Sequence, residues 1–172
     1  MNRIIFALFI ITFAGACHKK SIPAGNNASN SSVKLLFDQP TVPAEVISIK
    51  RTACFGRCPA YTAKFFSDGK VTYKGDANVE RRGDYKAMAS TQVINGIIKK
   101  AMEIKYFDMA DVYPVDGEKI ADLPTTTTSV YCIGHSKKIT NKYKAPDSLK
   151  TLEDFIDTEL EKLKYTSTDP QR

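Results

Sequence analysis

The spacing of apolar residues changes its period three times along this chain. Strand-like alternation dominates residues 46–86, helical spacing begins at Thr91, alternation returns over 125–143, and helical spacing resumes from Pro146. Short turns between successive strands imply antiparallel pairing. Two amphipathic helices need an apolar surface to cover, and one face of the sheet supplies it. We therefore expect an α+β fold, with an antiparallel sheet of about five to six strands and both helices on one face.

Two turns are predicted from their residues. Asp68-Gly69 stands between two alternating runs, which is typical of a β-hairpin. The second turn is placed with His135-Ser136 at its centre, so Cys132 is expected opposite Ile139 in apolar surroundings. A buried cysteine of this kind behaves as a small hydrophobic residue.

The last helix is expected to bury one stripe and expose the other. Its apolar stripe consists of Leu149, Leu152, Ile156, Leu160 and Leu163. The acidic residues Glu153, Asp154, Asp157 and Glu161 are expected to face water.

The N-terminus has the pattern of a secretion signal. Arg3 precedes the apolar run Ile4–Phe13, and small residues lead into Cys17. The run is too short to cross a bilayer, which needs about 20 residues. We interpret residues 1–16 as a lipoprotein signal peptide and Cys17 as the acylated lipid anchor, with ordinary secretion as the alternative. The expected location is the bacterial cell envelope, at the outer membrane or the periplasmic face.

Composition divides the remaining chain into a tether, a domain and a tail. Residues 17–42 are expected to form a flexible, lipid-anchored tether, in which Leu35–Phe37 dock on the domain. Residues 43–165 are long enough for a single α+β domain with one core. Residues 166–172 are expected to be a disordered tail.

Two cysteines lie close together between the first two strands. Because an exported chain meets an oxidising compartment, Cys54 and Cys58 are expected to form a disulfide that stiffens a tight loop. A redox pair is less favoured, because such pairs are typically C-x-x-C at a helix N-terminus. A zinc site that adds Cys132 and His135 is the third interpretation.

The disulfide loop and the long loop 108–124 are expected to present a contact surface. Its candidate partner-binding residues are Phe55, Arg57, Tyr61 and Asp122. Long loops without structure of their own are often functional.

Acidic residues cluster in that long loop. Asp116, Glu118 and Asp122 could form a calcium site or an acid/base pair, but solvated loop charges are the favoured interpretation. Asp122 could alternatively bond backbone amides of its own loop.

With these residues identified, the chain resembles a known family. The block Cys54–Tyr61, CFGRCPAY, and the later Asp122–Pro124 are similar to an uncharacterised family of bacterial envelope domains, known only as a domain of unknown function. The resemblance covers roughly residues 47–163. It implies export and one α+β domain, and it brings no activity, cofactor or catalytic residue. Cys132 and His135 are not part of its pattern.

The distribution of charge and the absence of known motifs exclude several classes of function. The net charge is +6, but its lysines are spread over many elements, so no nucleic-acid partner is expected. No phosphate-binding, nucleophile-elbow or zinc-protease motif occurs in the sequence, and we expect neither catalytic residues nor a cofactor. The hypothesis is a non-enzymatic binding or accessory module, held at a membrane by its lipid and binding an envelope protein or glycan. The alternative is a thiol-redox or metal-binding protein that uses Cys54, Cys58 and Cys132.

Overall fold

The computed structural model describes residues 35–37, 41–118 and 120–169. These residues form strands and helices in the order β1 (Glu45–Arg51), β2 (Ala60–Phe66), β3 (Lys70–Ala77), β4 (Gly83–Met88), α1 (Thr91–Glu103), β5 (Val112–Tyr113), β6 (Thr126–Cys132), β7 (His135–Asn141), α2 (Asp147–Glu161) and β8 (Thr166–Ser167). A short 3₁₀ helix, Tyr106–Asp108, follows α1.

All the strands belong to one sheet, in the order β5-β7-β6-β1-β2-β3-β4-β8. Neighbouring strands are antiparallel except β5 and β7, which are parallel. The α+β class is confirmed, whereas the sheet is mixed and has eight strands among the described residues. The two additional strands contain two residues each, which is too short to show an alternating pattern.

One face of the sheet carries the core, and both helices contribute to it. The buried strand residues on this face include Ile47, Ile49, Ala63, Phe65, Val71, Val130 and Ile139. The helices add Ile94, Ile97, Ile98, Ala101, Leu149, Leu152, Ile156 and Leu160. The opposite face carries Ser48, Lys50, Thr62, Lys64, Thr72 and Lys74, as period-two alternation requires.

The domain extends beyond its expected limits at both ends. Phe37 is buried in the core, and the backbone N–H of Leu36 donates to Asn95 Oδ1 at 3.1 Å. The expected docking of Leu35–Phe37 is therefore present, within a segment that we assigned to the tether. The expected tail is wrong for its first residues, because Thr166–Ser167 form β8 against β4. The signal peptide and Cys17 lie outside the described residues.

The second hairpin has a different register from the expected one. Its loop is Ile133-Gly134, with Gly134 at φ 79°, and Cys132 pairs with His135 rather than with Ile139. A two-residue loop with glycine at a positive φ matches the twist of the flanking strands. Our placement of the turn was two residues too late. An even shift leaves every side chain on its predicted face, so the pattern alone could not reveal it.

Candidate binding cleft beside the disulfide loop

The two adjacent cysteines are joined as expected. Cys54 and Cys58 form a disulfide across the loop between β1 and β2, with their Cα atoms 5.6 Å apart. The carbonyl oxygen of Cys58 accepts a hydrogen bond of 3.1 Å from Asn78 Nδ2, which ties this loop to the β3–β4 loop. The zinc interpretation with Cys132 and His135 is wrong, because the bond occupies two of its four donors. In the described part of the chain, no three His, Cys, Asp or Glu side chains converge as a metal site.

A cleft of about 410 Å³ opens beside this loop. Its wall is formed by strands β2 and β3, the β3–β4 loop, the end of α2 and the segment before β8. The lining residues are Pro59, Tyr61, Tyr73, Asn78, Val79, Glu80, Arg81, Asp157, Leu160, Glu161 and Tyr165. Pro59 follows the disulfide directly, so the braced loop forms one end of the cleft.

Three tyrosine rings give the cleft its apolar wall. Tyr61 and Tyr73 stack with their centroids 5.3 Å apart, as diagonal neighbours on adjacent strands can. Tyr165 meets Tyr73 edge-to-face at 5.5 Å. The guanidinium of Arg81 lies 4.9 Å from the centre of the Tyr165 ring, which is a cation–π contact. The wall therefore ends in a fixed positive charge.

Gly75 explains how Arg81 reaches this position. Gly75 pairs with Tyr61 across β2 and β3. A Cβ atom on Gly75 would lie 1.8 Å from the carbonyl oxygen of Arg81. Only glycine permits this approach, so the β3–β4 loop folds closely onto the strand and carries Arg81 to the cleft.

A partly buried ion pair supports the floor of the cleft. Arg51 Nη2 lies 2.7 Å from Asp157 Oδ2, and Arg51 Nη1 donates to Thr126 Oγ1 at 2.9 Å. The hydroxyl of Tyr61 donates to Asp157 Oδ1. Burial, followed by the charge of Asp157, raises the pKa of Tyr61, so its hydroxyl stays protonated. Both oxygens of Asp157 are engaged in holding the floor together.

Glu153 was expected in water, and this prediction is wrong. Its side chain is buried, and its Oε1 accepts a hydrogen bond of 3.0 Å from Asn141 Nδ2. Burial raises the pKa of this carboxyl. Among the described residues, Asn141 Oδ1 is buried without a hydrogen-bond partner. Glu153 lies four residues after Leu149, on the buried stripe itself, and that spacing was the available signal.

The candidate partner-binding residues are separated by the structure. Tyr61 lines the cleft. Phe55 and Arg57 are exposed on the disulfide loop, Phe55 at 89% of its surface. Asp122 is exposed in the loop before β6, at φ 65°. Of the four, the cleft includes Tyr61 alone.

The acidic residues of the long loop contact a lysine. Lys144 Nζ lies 2.6 Å from Glu118 Oε2 and 3.4 Å from Asp116 Oδ2. The Lys144 hydrogen bond lowers the pKa of Glu118, and the backbone N–H of Glu118 lowers the pKa of Asp116. This arrangement matches the expected solvated loop charges better than a calcium site, since Lys144 already contacts both carboxylates.

The fold and the cleft define a small mixed α+β domain with a disulfide-braced loop at one end of an aromatic cleft. The chain belongs to the family described as a domain of unknown function, DUF6438, whose model matches residues 45–160. The match begins at β1 and ends within the last turn of α2, so Tyr165 and β8 lie beyond it. No curated protein matches the chain. Neither described helix combines the length and the apolar character that crossing a bilayer requires.

Proposed function

We propose that this protein is an exported, lipid-anchored binding module that captures a glycan of the cell envelope in the tyrosine-lined cleft. The anchor is Cys17, proposed from the signal-like sequence of residues 1–16. The proposal assigns no reaction to the domain. Its partners are the membrane, through the lipid, and the envelope glycan.

The aromatic wall with a polar rim is the observation that supports this proposal. Tyr61, Tyr73 and Tyr165 offer flat apolar surface, while Asn78, Glu80, Arg81 and Glu161 add hydrogen-bonding groups around it. A sugar ring presents C–H groups on its faces and hydroxyls on its edge, so it suits an aromatic wall with a polar border. The cleft volume of about 410 Å³ falls within the usual range for small ligands.

The state of the carboxylates favours binding over glycoside hydrolysis. Hydrolysis needs two carboxyl groups, one on each side of the scissile bond. Asp157 already uses one oxygen for Arg51 and the other for Tyr61. Glu80 and Glu161 are exposed at the rim. The cleft therefore offers hydrogen-bonding groups and lacks an available carboxylate pair at its floor.

The test measures sedimentation of the full chain with purified cell-wall glycan. Arg81→Ala and Glu161→Ala remove rim contacts, and each should weaken binding about tenfold. Lys50→Ala changes a charge on the opposite face of the sheet and is the matched control. Loss of binding in the two rim variants with retention in the control supports the proposal. Absence of binding by the wild-type chain, or equal binding by all variants, would refute it.

A protein partner is a second candidate, because Phe55 is so exposed on a braced loop. With 89% of its surface in water, this aromatic side chain is available to a partner, and aromatic residues are common anchors in protein interfaces. Phe55→Ala and Arg57→Ala should then reduce capture of an envelope protein without reducing glycan sedimentation. Reduced glycan sedimentation with unchanged capture of the protein would favour the glycan.

The thiol-redox alternative predicts a disulfide that mild thiols reduce readily. The bond lies in a loop between strands, where no helix dipole lowers a thiol pKa, so a structural role is better supported. Titration of free thiols in the native chain separates the two. Rapid appearance of two new thiols under mild reduction would favour redox chemistry.

A further inference from the structure

A cysteine, a methionine and a histidine meet at the opposite end of the domain, where β6 and β7 turn. Cys132 ends β6, His135 begins β7, and Met102 lies in the last turn of α1. Cys132 is the free cysteine of the described residues. It lies two residues after the buried Val130 and therefore on the helix-covered face of the sheet.

The positions of these three residues suit a shared ligand. Cys132 Sγ lies 4.0 Å from Met102 Sδ. Cys132 and His135 are directly opposite in the antiparallel register. Opposite residues of such a pair have Cβ atoms about 4.5–5.5 Å apart on one face. A His135 ring turned toward the two sulfurs can therefore reach an ion that lies between them.

The sulfur–sulfur distance agrees with a trigonal metal site. Two sulfur donors at about 2.3 Å from one ion, at an angle of about 120°, are about 4.0 Å apart. The observed Sγ–Sδ distance is 4.0 Å. His135, directly opposite Cys132, can supply the third donor, and its ring lies edge-to-face against Phe107 with the centroids 6.3 Å apart.

We propose that Met102, Cys132 and His135 form a binding site for a single Cu(I) ion. Thiolate and thioether sulfur are soft donors that select Cu(I), and imidazole also suits copper. On binding, the Cys132 thiol releases its proton to solvent as the sulfur–copper bond forms, and copper keeps its oxidation state. The site is independent of the tyrosine-lined cleft and of its proposed glycan.

The surroundings permit entry of the ion. Met102 is 50% exposed, and Cys132 is half-buried. Ile133, in the hairpin loop, is also 50% exposed, while Phe107 packs against the core. The three donors thus lie at the border between the core and solvent, accessible on one side and surrounded by apolar groups on the other.

The test titrates Cu(I) into the full chain under anaerobic conditions, with bathocuproine disulfonate as the competitor. The chain carries Cys17→Ser, so that Cys132 provides the thiol, and mass measurement confirms that the Cys54–Cys58 bond is intact. We expect one copper per chain. Cys132→Ser should weaken binding at least 100-fold, and Met102→Leu and His135→Gln at least tenfold each. Met88→Leu, at a methionine on β4 with 66% exposure, should leave binding unchanged.

X-ray absorption then identifies the donors. Two sulfurs and one nitrogen around copper support the site. Absence of stoichiometric binding, equal affinity of Met102→Leu, His135→Gln and the parent chain, or a copper-bridged pair of chains would overturn it.

Discussion

Asp157 joins helix α2 to the first two strands through both oxygens of its carboxylate. One oxygen pairs with Arg51, whose side chain is 17% exposed, and the other accepts from Tyr61. The nearby Asp154 is 63% exposed and lies 3.9 Å from the same guanidinium. Two acidic residues three positions apart on one helix therefore differ strongly in environment.

Because the two environments differ, replacing each aspartate by a neutral asparagine should reduce stability by different amounts. Asp157→Asn should lower the free energy of unfolding by about 2 kcal/mol, because it leaves a largely buried guanidinium without its counter-charge. Asp154→Asn should change it by less than about 0.5 kcal/mol, because exposed pairs contribute little. Urea unfolding of both variants measures the difference. Equal costs would contradict the assigned role of Asp157.

Glu153 predicts a pH effect with a defined sign. Burial raises its pKa in the folded state above its ordinary value. Between the pKa of the unfolded state and that of the folded state, the folded chain keeps a proton that the unfolded chain has released. The stability that this proton provides is present below the unfolded pKa and is lost as the pH rises through the folded pKa. Glu153→Gln, which can still accept from Asn141 and can donate to its unpartnered Oδ1, should be more stable than wild type at pH 7.

The same difference should disappear in acid. Below about pH 3, Glu153 is protonated in both states and resembles glutamine. Unfolding curves of the wild type and Glu153→Gln between about pH 3 and 7 provide the measurement. A variant that is less stable than wild type at pH 7 would show that the carboxylate is favourable where it lies.

At the scale of elements, alternation and helical spacing located the long strands and both helices, because each contains enough residues to show its period. The two-residue strands show no such period, and each pairs with a strand that is distant in the sequence; they are Val112–Tyr113 and Thr166–Ser167. The disulfide followed from sequence proximity and the proposed export. The cleft could not be predicted from the sequence, because Arg81, Asp157 and Tyr165 meet only in the folded chain.

Alanine substitutions at two glycines test how much space surrounds each of them. Gly75→Ala should cost about 2–3 kcal/mol, because its Cβ would overlap the carbonyl oxygen of Arg81. Gly96→Ala, inside α1 with nothing within 4 Å of the added atom, should stabilise the domain by up to about 1 kcal/mol. Thermal unfolding of the two variants should give opposite shifts. Shifts of the same sign would mean that one environment is wrongly assigned.

The disulfide should act locally. Replacing Cys54 and Cys58 by serine opens a very short loop, which should cost about 2 kcal/mol on the chain-entropy model. The strands on either side are paired along their lengths, so the circular dichroism spectrum should keep its native form. Urea unfolding gives the cost. A double variant that fails to fold would show that the bond holds more than its own loop.

At the scale of the whole molecule, the N-terminal segment 35–37 is part of the domain. Phe37→Ala should lower the free energy of unfolding by about 3–4 kcal/mol, because the ring is 2% exposed and its loss leaves a cavity. Phe55→Ala, at a ring 89% exposed, should change it by less than about 0.5 kcal/mol. Equal effects in urea unfolding would contradict the placement of Phe37.

The two outermost strands are only two residues long, at β5 on one side and β8 on the other. A long unpaired outer strand is a template on which another copy can add, and successive additions build a fibril. Here β5 and β8 each cover part of a longer strand, so neither edge offers a neighbour a long uninterrupted strand on which to add. Molecules at high local concentration should therefore stay separate instead of polymerising through the edges of their sheets.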